Sequence, residues 1–352
     1  MMRVALGLYL AGTADTVPSP DRQSRYHMDL PKLAIAALGG TVSMQASHAG
    51  EGVIPTVSGE TLLQLLPELS TLARINVETL GLLPSASLDF EFLLSVLHWA
   101  NEQISQGAVG VVITQGTDTL EETATFFDYL WNHNEPLVVT GAMRSAAQAG
   151  ADGPANLQDA CRVALAENSR HRGVQVVMNG QIHAANAVRK IDSLALQAFA
   201  SPVSGPVGLL IENTVRYLRP PAQRRVLPMP QRCAKVALLE ASLSADTLLL
   251  ENIVDLGYDG LVIAGFGAGH VSGQWAAVIE SITQKIPVIV ATRTGSGSTA
   301  QCSYGFIGGE MDLIRKGAAM AGFLCPRKAR ILLWLLIGCQ RQGDLARYLK
   351  DE

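Results

Sequence analysis

This 352-residue chain is poor in charge, and that scarcity narrows its class first. Charged residues make up 16% and aromatics 5%, against 48% hydrophobic residues, which excludes a disordered chain or a solvated coiled coil. Lys and Arg number 27 against 31 Asp and Glu, a net charge of −4, with no basic run. A nucleic-acid surface needs a basic excess, so no nucleic-acid partner is expected. The five cysteines, Cys161, Cys233, Cys302, Cys325 and Cys339, are scattered and never form a C-x-x-C pair. That usage suits a reducing compartment and supplies no structural zinc site. The seven histidines show neither H-x-H nor H-E-x-x-H spacing, so no metal is expected. Ser-His-Asp hydrolysis lacks its G-x-S-x-G elbow. The longest apolar run, Ile331–Cys339, is far shorter than the ~20 residues that cross a bilayer, so no membrane partner is expected.

The N-terminus is equally sparse in signals. Arg3 precedes Val4–Gly12, a stretch at the short end for a signal-peptide core, with one leading charge and no small-x-small cleavage site. Residues 1–28 read as a tail or an over-extended start, with Met28 as the alternative first residue. The expected location is cytoplasmic, and the weak stretch leaves a periplasmic one open.

From Leu33 the chain alternates short apolar runs with amphipathic stretches. Candidate strands are Leu33–Ala37, Val109–Ile113, Leu137–Thr140 and Val174–Met178, separated by helical patterns at Glu60–Leu66, Phe90–Ser105, Leu120–Trp131 and Asn156–Ala166. Near-continuous apolar strands alternating with helices predict an α/β fold, a parallel sheet with helices on both faces. The same grammar restarts with strands at Val236–Leu239, Gly260–Ala264 and Pro287–Ala291. Between them, residues 219–232 hold four prolines and four arginines, as an extended linker would. The expected division is an N-terminal domain over 29–218, a linker over 219–232 and a smaller α/β domain over 233–352.

Ligands of open parallel sheets bind beyond the carboxyl ends of the strands. The first such turn is Leu38-Gly39-Gly40-Thr41-Val42-Ser43. Its glycines let a backbone approach closely and present a hydroxyl, though a plain tight turn would read the same. The second turn, Thr114-Gln-Gly-Thr-Asp-Thr-Leu-Glu-Glu-Thr123, carries more. Thr119 and Glu122 form a T-x-x-E capping box, which predicts a helix start. Capping does not explain Thr117 and Asp118, a hydroxyl beside a carboxylate that together suit an amino acid's polar groups. A locally bonded Asp-Thr turn is the alternative. The third turn pairs Gly141-Ala142-Met143-Arg144 with Asp152-Gly153-Pro154, which is ordinary turn chemistry. The fourth holds Arg189 and Lys190. A lysine acts as a base only if it loses its proton, against a reference pKa of about 10.4, and that takes burial or a neighbouring cation. Gly265-Phe-Gly-Ala-Gly-His270 is a weak phosphate-loop signal, and Thr292–Thr299 reads as a flexible loop.

Together these turns resemble the bacterial-type L-asparaginase/glutaminase family. The matching residues are Gly39-Gly40-Thr41, Thr114–Thr123, Gly141–Arg144, Asp152-Gly-Pro154, Arg172-Gly173, Tyr304-Gly-Phe306 and Pro326-Arg-Lys-Ala-Arg330. The resemblance spans about residues 32–345. It implies a flavodoxin-like N-terminal domain with a smaller C-terminal α/β domain, and cofactor-free hydrolysis of the L-asparagine side-chain amide to aspartate and ammonia. It implies Thr41 as one threonine nucleophile, and Thr117, Asp118 and Lys190 as a second centre. Ser85, with Thr117, Asp118 and Ala142, would bind substrate. It also implies a homodimer or homotetramer. A glutaminase, another amidase or a weakened amino-acid-binding relative are the alternatives. The sequence departs from the family where the loop Met44–Ser58 lacks a tyrosine, Ala86 replaces a glutamine and His270 an asparagine. His48 or Tyr304 are candidates to stand in for the tyrosine.

Overall fold

The computed structural model describes residues 30–40, 44–46, 53–55, 61 and 66–350. The segment 1–28, Thr41, His48 and most of the helix expected at Glu60–Leu66 lie outside them.

The apolar runs build one large sheet. Its parallel part is β1 (Lys32–Ala37), β2 (Arg74–Thr79), β3 (Ala108–Thr114), β4 (Leu137–Thr140) and β5 (Val174–Met178), in the order β2-β1-β3-β4-β5. That is the flavodoxin-like order. The parallel expectation needs one correction. Three antiparallel strands, β6 (Gln181–Ala184), β7 (Gly208–Ile211) and β8 (Thr214–Tyr217), extend the sheet past β5. The cause is local: Asn179 and Gly180 both hold positive φ, 50° and 72°, the geometry of a two-residue hairpin turn that reverses the chain.

Alternation along each strand sorts side chains to two buried faces. Ala34, Ala36, Val111, Ile113 and Val139 pack with α1 (Phe90–Ser105) and α2 (Leu120–Leu130). Leu33, Ile35, Val112, Val138 and Val177 pack on the other face with α3 (Gly153–Leu165). Asp89 caps α1, its carboxylate accepting from Phe92 N at 2.8 Å, a bond that typically contributes ~1 kcal/mol.

A second sheet, wholly parallel, runs β9 (Val236–Glu240), β10 (Gly260–Gly265), β11 (Val288–Thr292), β12 (Ala319–Met320). α4 (Gly273–Thr283) covers one side, with Trp275, Ala276 and Ile279 buried. α5 (Pro326–Gly338) joins the two sheets. Its run Ile331–Ile337 is buried throughout, and the Trp334 ring lies 4.4 Å from Phe90 and 5.9 Å from Phe126. Burying such a run on an interface between two layers explains apolar density too short for a membrane span. Among the described residues no helix is long and apolar enough to cross a membrane. Residues 220–235 form no helix or strand, yet they are pinned: Leu227 is buried and its N–H donates to Tyr129 O at 2.7 Å.

His183 on β6 is fully buried, with Nδ1 2.9 Å from Ser201 Oγ. Burial, and then the nearby Lys328 charge, push its pKa from 6.5 down to about 4. The folded state therefore prefers the neutral ring. Its contribution is complete above pH 6.5 and is lost as pH falls from 6.5 towards 4. We expect urea unfolding of the wild type to lose about 2 kcal/mol more between pH 7.5 and pH 5 than His183→Asn does. Equal losses in the two proteins would refute that assignment.

Candidate active site

β1 and β3 are the neighbouring strands at which the sheet's order reverses, and the loops at their carboxyl ends meet there. Leu38 N donates to Thr114 O at 2.9 Å, which brings Gly39 and Gly40 over the turn after β3. Gly40 sits at φ +84°, and a Cβ there would lie 2.0 Å from Gly116 N, so no side chain fits. A Cβ on Gly39 would lie 2.6 Å from Leu83 N. Three loops, 38–40, 82–85 and 115–118, are thus stacked backbone against backbone. Gly40 is the last described residue before Thr41, which itself lies outside the described residues.

Ser85 belongs to this stack. It is buried, its Oγ accepts from Asp118 N at 3.2 Å, and its carbonyl accepts from Thr119 Oγ1 at 3.0 Å. The expected capping box is corrected here. α2 does begin after Thr119, but the Thr119 hydroxyl makes no cap bond because it is committed to Ser85 across 34 residues of sequence. The helix start is instead held by Glu122 N and Thr123 N donating to the Thr119 carbonyl.

Lys190 arrives from the other side. Arg189–Lys190 pairs antiparallel with Phe199–Ala200, and Lys190 N donates to Glu121 Oε2 at 2.9 Å. Those bonds aim the side chain: Nζ lies 2.9 Å from Thr117 Oγ1 and 2.7 Å from Asp118 Oδ1. Thr117 is 6% exposed and the Lys190 side chain 15%, whereas the Asp118 side chain is 69% exposed. The amine is therefore held inside against a hydroxyl, while the carboxylate opens outward to where an ammonium group of a ligand can reach it.

Glu121 is the residue that sequence reasoning missed. A carboxylate in the first turn of a helix reads as a favourable charge and no more. Here it is buried, and besides Lys190 N it accepts from Arg327 Nε on α5 at 2.6 Å. Burial, and next the Glu121 charge, raise the pKa of neighbouring Glu122. Lys328, also on α5, donates to the Ala185 and Val188 carbonyls at 2.6 Å each. The second half of the molecule thus braces the segment that carries Lys190.

Ala142 is fully buried in the turn Gly141–Arg144, so only its backbone is available to a ligand. Asp152 fixes that turn: its carboxylate accepts from Met143 N at 3.0 Å and Arg144 N at 2.9 Å, and from Asn156 Nδ2 at 3.0 Å. A Cβ on Gly141 would lie 3.3 Å from Thr117 Cγ2, which places the turn beside the threonine. The Asp-Gly-Pro sequence thus does more than turn the chain. The loop Thr292–Thr299, expected to be flexible, is bonded internally, with Thr292 Oγ1 2.9 Å from Thr294 Oγ1. His270 and Tyr304 meet each other, ring centroids 4.8 Å apart, beside the buried Glu310. Burial would raise the Glu310 pKa, but the N–H groups of Tyr304 and Ser303 outweigh it and hold the carboxyl below its usual range. Among the described residues, no group of three or more His, Cys, Asp or Glu side chains is placed to hold a metal ion.

As a class, this is an α/β protein with a lysine-bridged Thr–Asp pair at the switch point of a flavodoxin-like sheet, followed by a smaller parallel sheet. Two family models match it, "Asparaginase, N-terminal" over residues 32–223 and "Glutaminase/Asparaginase C-terminal domain" over residues 235–348. The chain belongs to the asparaginase family, a family of amide hydrolases. A probable L-asparaginase of Deinococcus radiodurans is 35% identical, over 90% of this chain and 97% of its own. A probable periplasmic L-asparaginase of Haemophilus influenzae is 34% identical, over 88% and 89%. The crystal structure of a probable cytoplasmic L-asparaginase from Campylobacter jejuni superposes with a TM-score of 0.81 at 29% identity, over 91% of this chain and 99% of that one.

Proposed function

We propose that the protein is an L-asparaginase, hydrolysing the side-chain amide of L-asparagine to L-aspartate and ammonia. The observation that carries the proposal is the Lys190 amine lying 2.9 Å from the Thr117 hydroxyl and 2.7 Å from the Asp118 carboxylate. A hydroxyl is a weak nucleophile until a positioned base takes its proton. Unprotonated Lys190 would accept the Thr117 proton, and threonine oxygen would attack the amide carbon. Collapse of the tetrahedral intermediate expels ammonia, which takes that proton, and leaves an aspartyl ester on the threonine. Water then cleaves the ester to release aspartate. Backbone N–H groups near Thr117, at the start of the helix that follows it, would stabilise the oxyanion. Asp118 would grip the substrate ammonium, and Ser85 its α-carboxylate. Thr41, next to Gly40, is proposed as the nucleophile of the first threonine centre on the strength of the family resemblance. No cofactor enters any of these steps.

We further propose a cytoplasmic homo-oligomer. Leu243, Leu248, Leu249, Phe306 and Ile307 on the smaller half are all more than half exposed, as apolar groups are at a subunit contact. Sedimentation showing an active monomer would overturn that part. The activity itself is tested by ammonia release from L-asparagine, L-glutamine and D-asparagine. L-Asparagine is expected to be the best substrate, and Thr117→Ala to lower its turnover by ~10³-fold. Release that prefers glutamine, or that Thr117→Ala leaves unchanged, would overturn the proposal.

A further inference from the structure

A cavity of about 330 Å³ lies where β6, the turn 202–204, the segment 219–222 and Phe323 come together. Three arginines, Arg172, Arg189 and Arg219, line it, and no carboxylate does. Each guanidinium is bonded only to backbone carbonyls. Arg172 donates to Asn168 O and Arg219 O at 2.9 Å each, Arg189 to Gly295 O, and Arg219 to Ser204 O. Among the described residues none of the three forms an ion pair with an acidic side chain, although five other arginines do so at 3.1 Å or less. Carbonyls orient a guanidinium but leave its charge uncompensated, which is costly for the buried Arg189 and the half-buried Arg172, while Arg219 is exposed at the rim. Burial indeed lowers the Arg172 pKa, with its guanidinium 3.5 Å from the Tyr217 ring centroid. Much of the remaining wall is apolar, with Val203, Val207 and Phe323 among it.

We propose that this cavity is a second ligand site, for a small organic carboxylate with an apolar body. The carboxylate would take the donors that the arginines leave over, since each guanidinium carries five N–H groups. The body would cover the valines and the phenylalanine, in a volume within the range of small-molecule pockets. The site is separate from Thr117, Asp118 and Ser85, none of which lines it.

Phenylacetate is the probe, with 2-phenylethanol as its uncharged counterpart and inorganic phosphate as a bare oxyanion. Titration calorimetry on the whole protein is expected to show saturable phenylacetate binding, one per chain, and none of the other two. Arg219→Gln should weaken it about tenfold, the loss expected for one charged hydrogen bond. Val203→Trp should abolish it by filling the space. Val203 is 55% exposed, so the substitution leaves folding and ammonia release intact and reports on the cavity alone. Absence of saturable binding, equal binding of the alcohol or of phosphate, or phenylacetate binding untouched by Val203→Trp would each overturn the proposal.

Discussion

Lys190→Met is expected to lower the turnover of L-asparagine by ~10³-fold, the usual worth of a positioned general base, while leaving the fold intact. Methionine keeps the length of the aliphatic stem and loses the amine, so contacts at 2.9 Å to Thr117 Oγ1 and 2.7 Å to Asp118 Oδ1 both vanish. The backbone bond from residue 190 to Glu121 and the pairing with Phe199 do not involve the side chain and persist. The loss should fall on kcat rather than KM, because the lysine acts on the threonine and not on the bound amino acid. Ammonia release, with circular dichroism to verify the fold, measures it. A folded variant with wild-type kcat would remove Lys190 from the chemistry.

Lys328→Met is expected to cost ~1–3 kcal/mol of stability, the usual penalty for leaving a buried acceptor without its donor. Lys328 is 1% exposed, and its ammonium holds the Ala185 and Val188 carbonyls at 2.6 Å each. With the ammonium gone, the Ala185 carbonyl still accepts from Thr125 Oγ1 at 3.1 Å, while the Val188 carbonyl loses its donor, at a cost on the order of 1–3 kcal/mol. Those carbonyls belong to the stretch between β6 and Lys190, so the surviving folded enzyme should also turn over more slowly. Urea unfolding gives the first effect and ammonia release the second. A midpoint within experimental error of the wild type would mean the cation is not needed there.

The parts of the fold legible in the sequence were those written in one stretch of chain. Phe90–Ser105 has the helical bounds its periodicity predicts, because Asp89 caps it locally. Strands buried on both faces, such as Val174–Met178, announce themselves as unbroken apolar runs. β2 did not, because Arg74-Ile-Asn-Val-Glu-Thr79 alternates at the sheet's edge, where only Ile75 and Val77 pack inward. β6 to β8 went unread although Asn179-Gly180 was there to be seen as a hairpin turn.

At the site, hydroxyl and carboxylate side by side at a strand end were visible in the local sequence, whereas Lys190 entered only through the family resemblance and the Arg327–Glu121 pairing was not read. Lys190 is 73 residues from Thr117, and Arg327 is 206 residues from Glu121. No local pattern encodes pairings of that separation; tertiary packing makes them. The Thr119–Glu122 signal shows the converse, a local motif overridden because the Ser85 carbonyl competes for the same hydroxyl.

A crystal structure with L-aspartate bound would bear most directly on the site. The expected pose has the α-carboxylate on Ser85, the ammonium on Asp118, and the side-chain carboxylate against the Thr117 hydroxyl beside the Gly40 and Gly141 turns. Aspartate seated away from Thr117, Asp118 and Ser85 in an enzyme that still releases ammonia would contradict the assignment of this centre to the reaction.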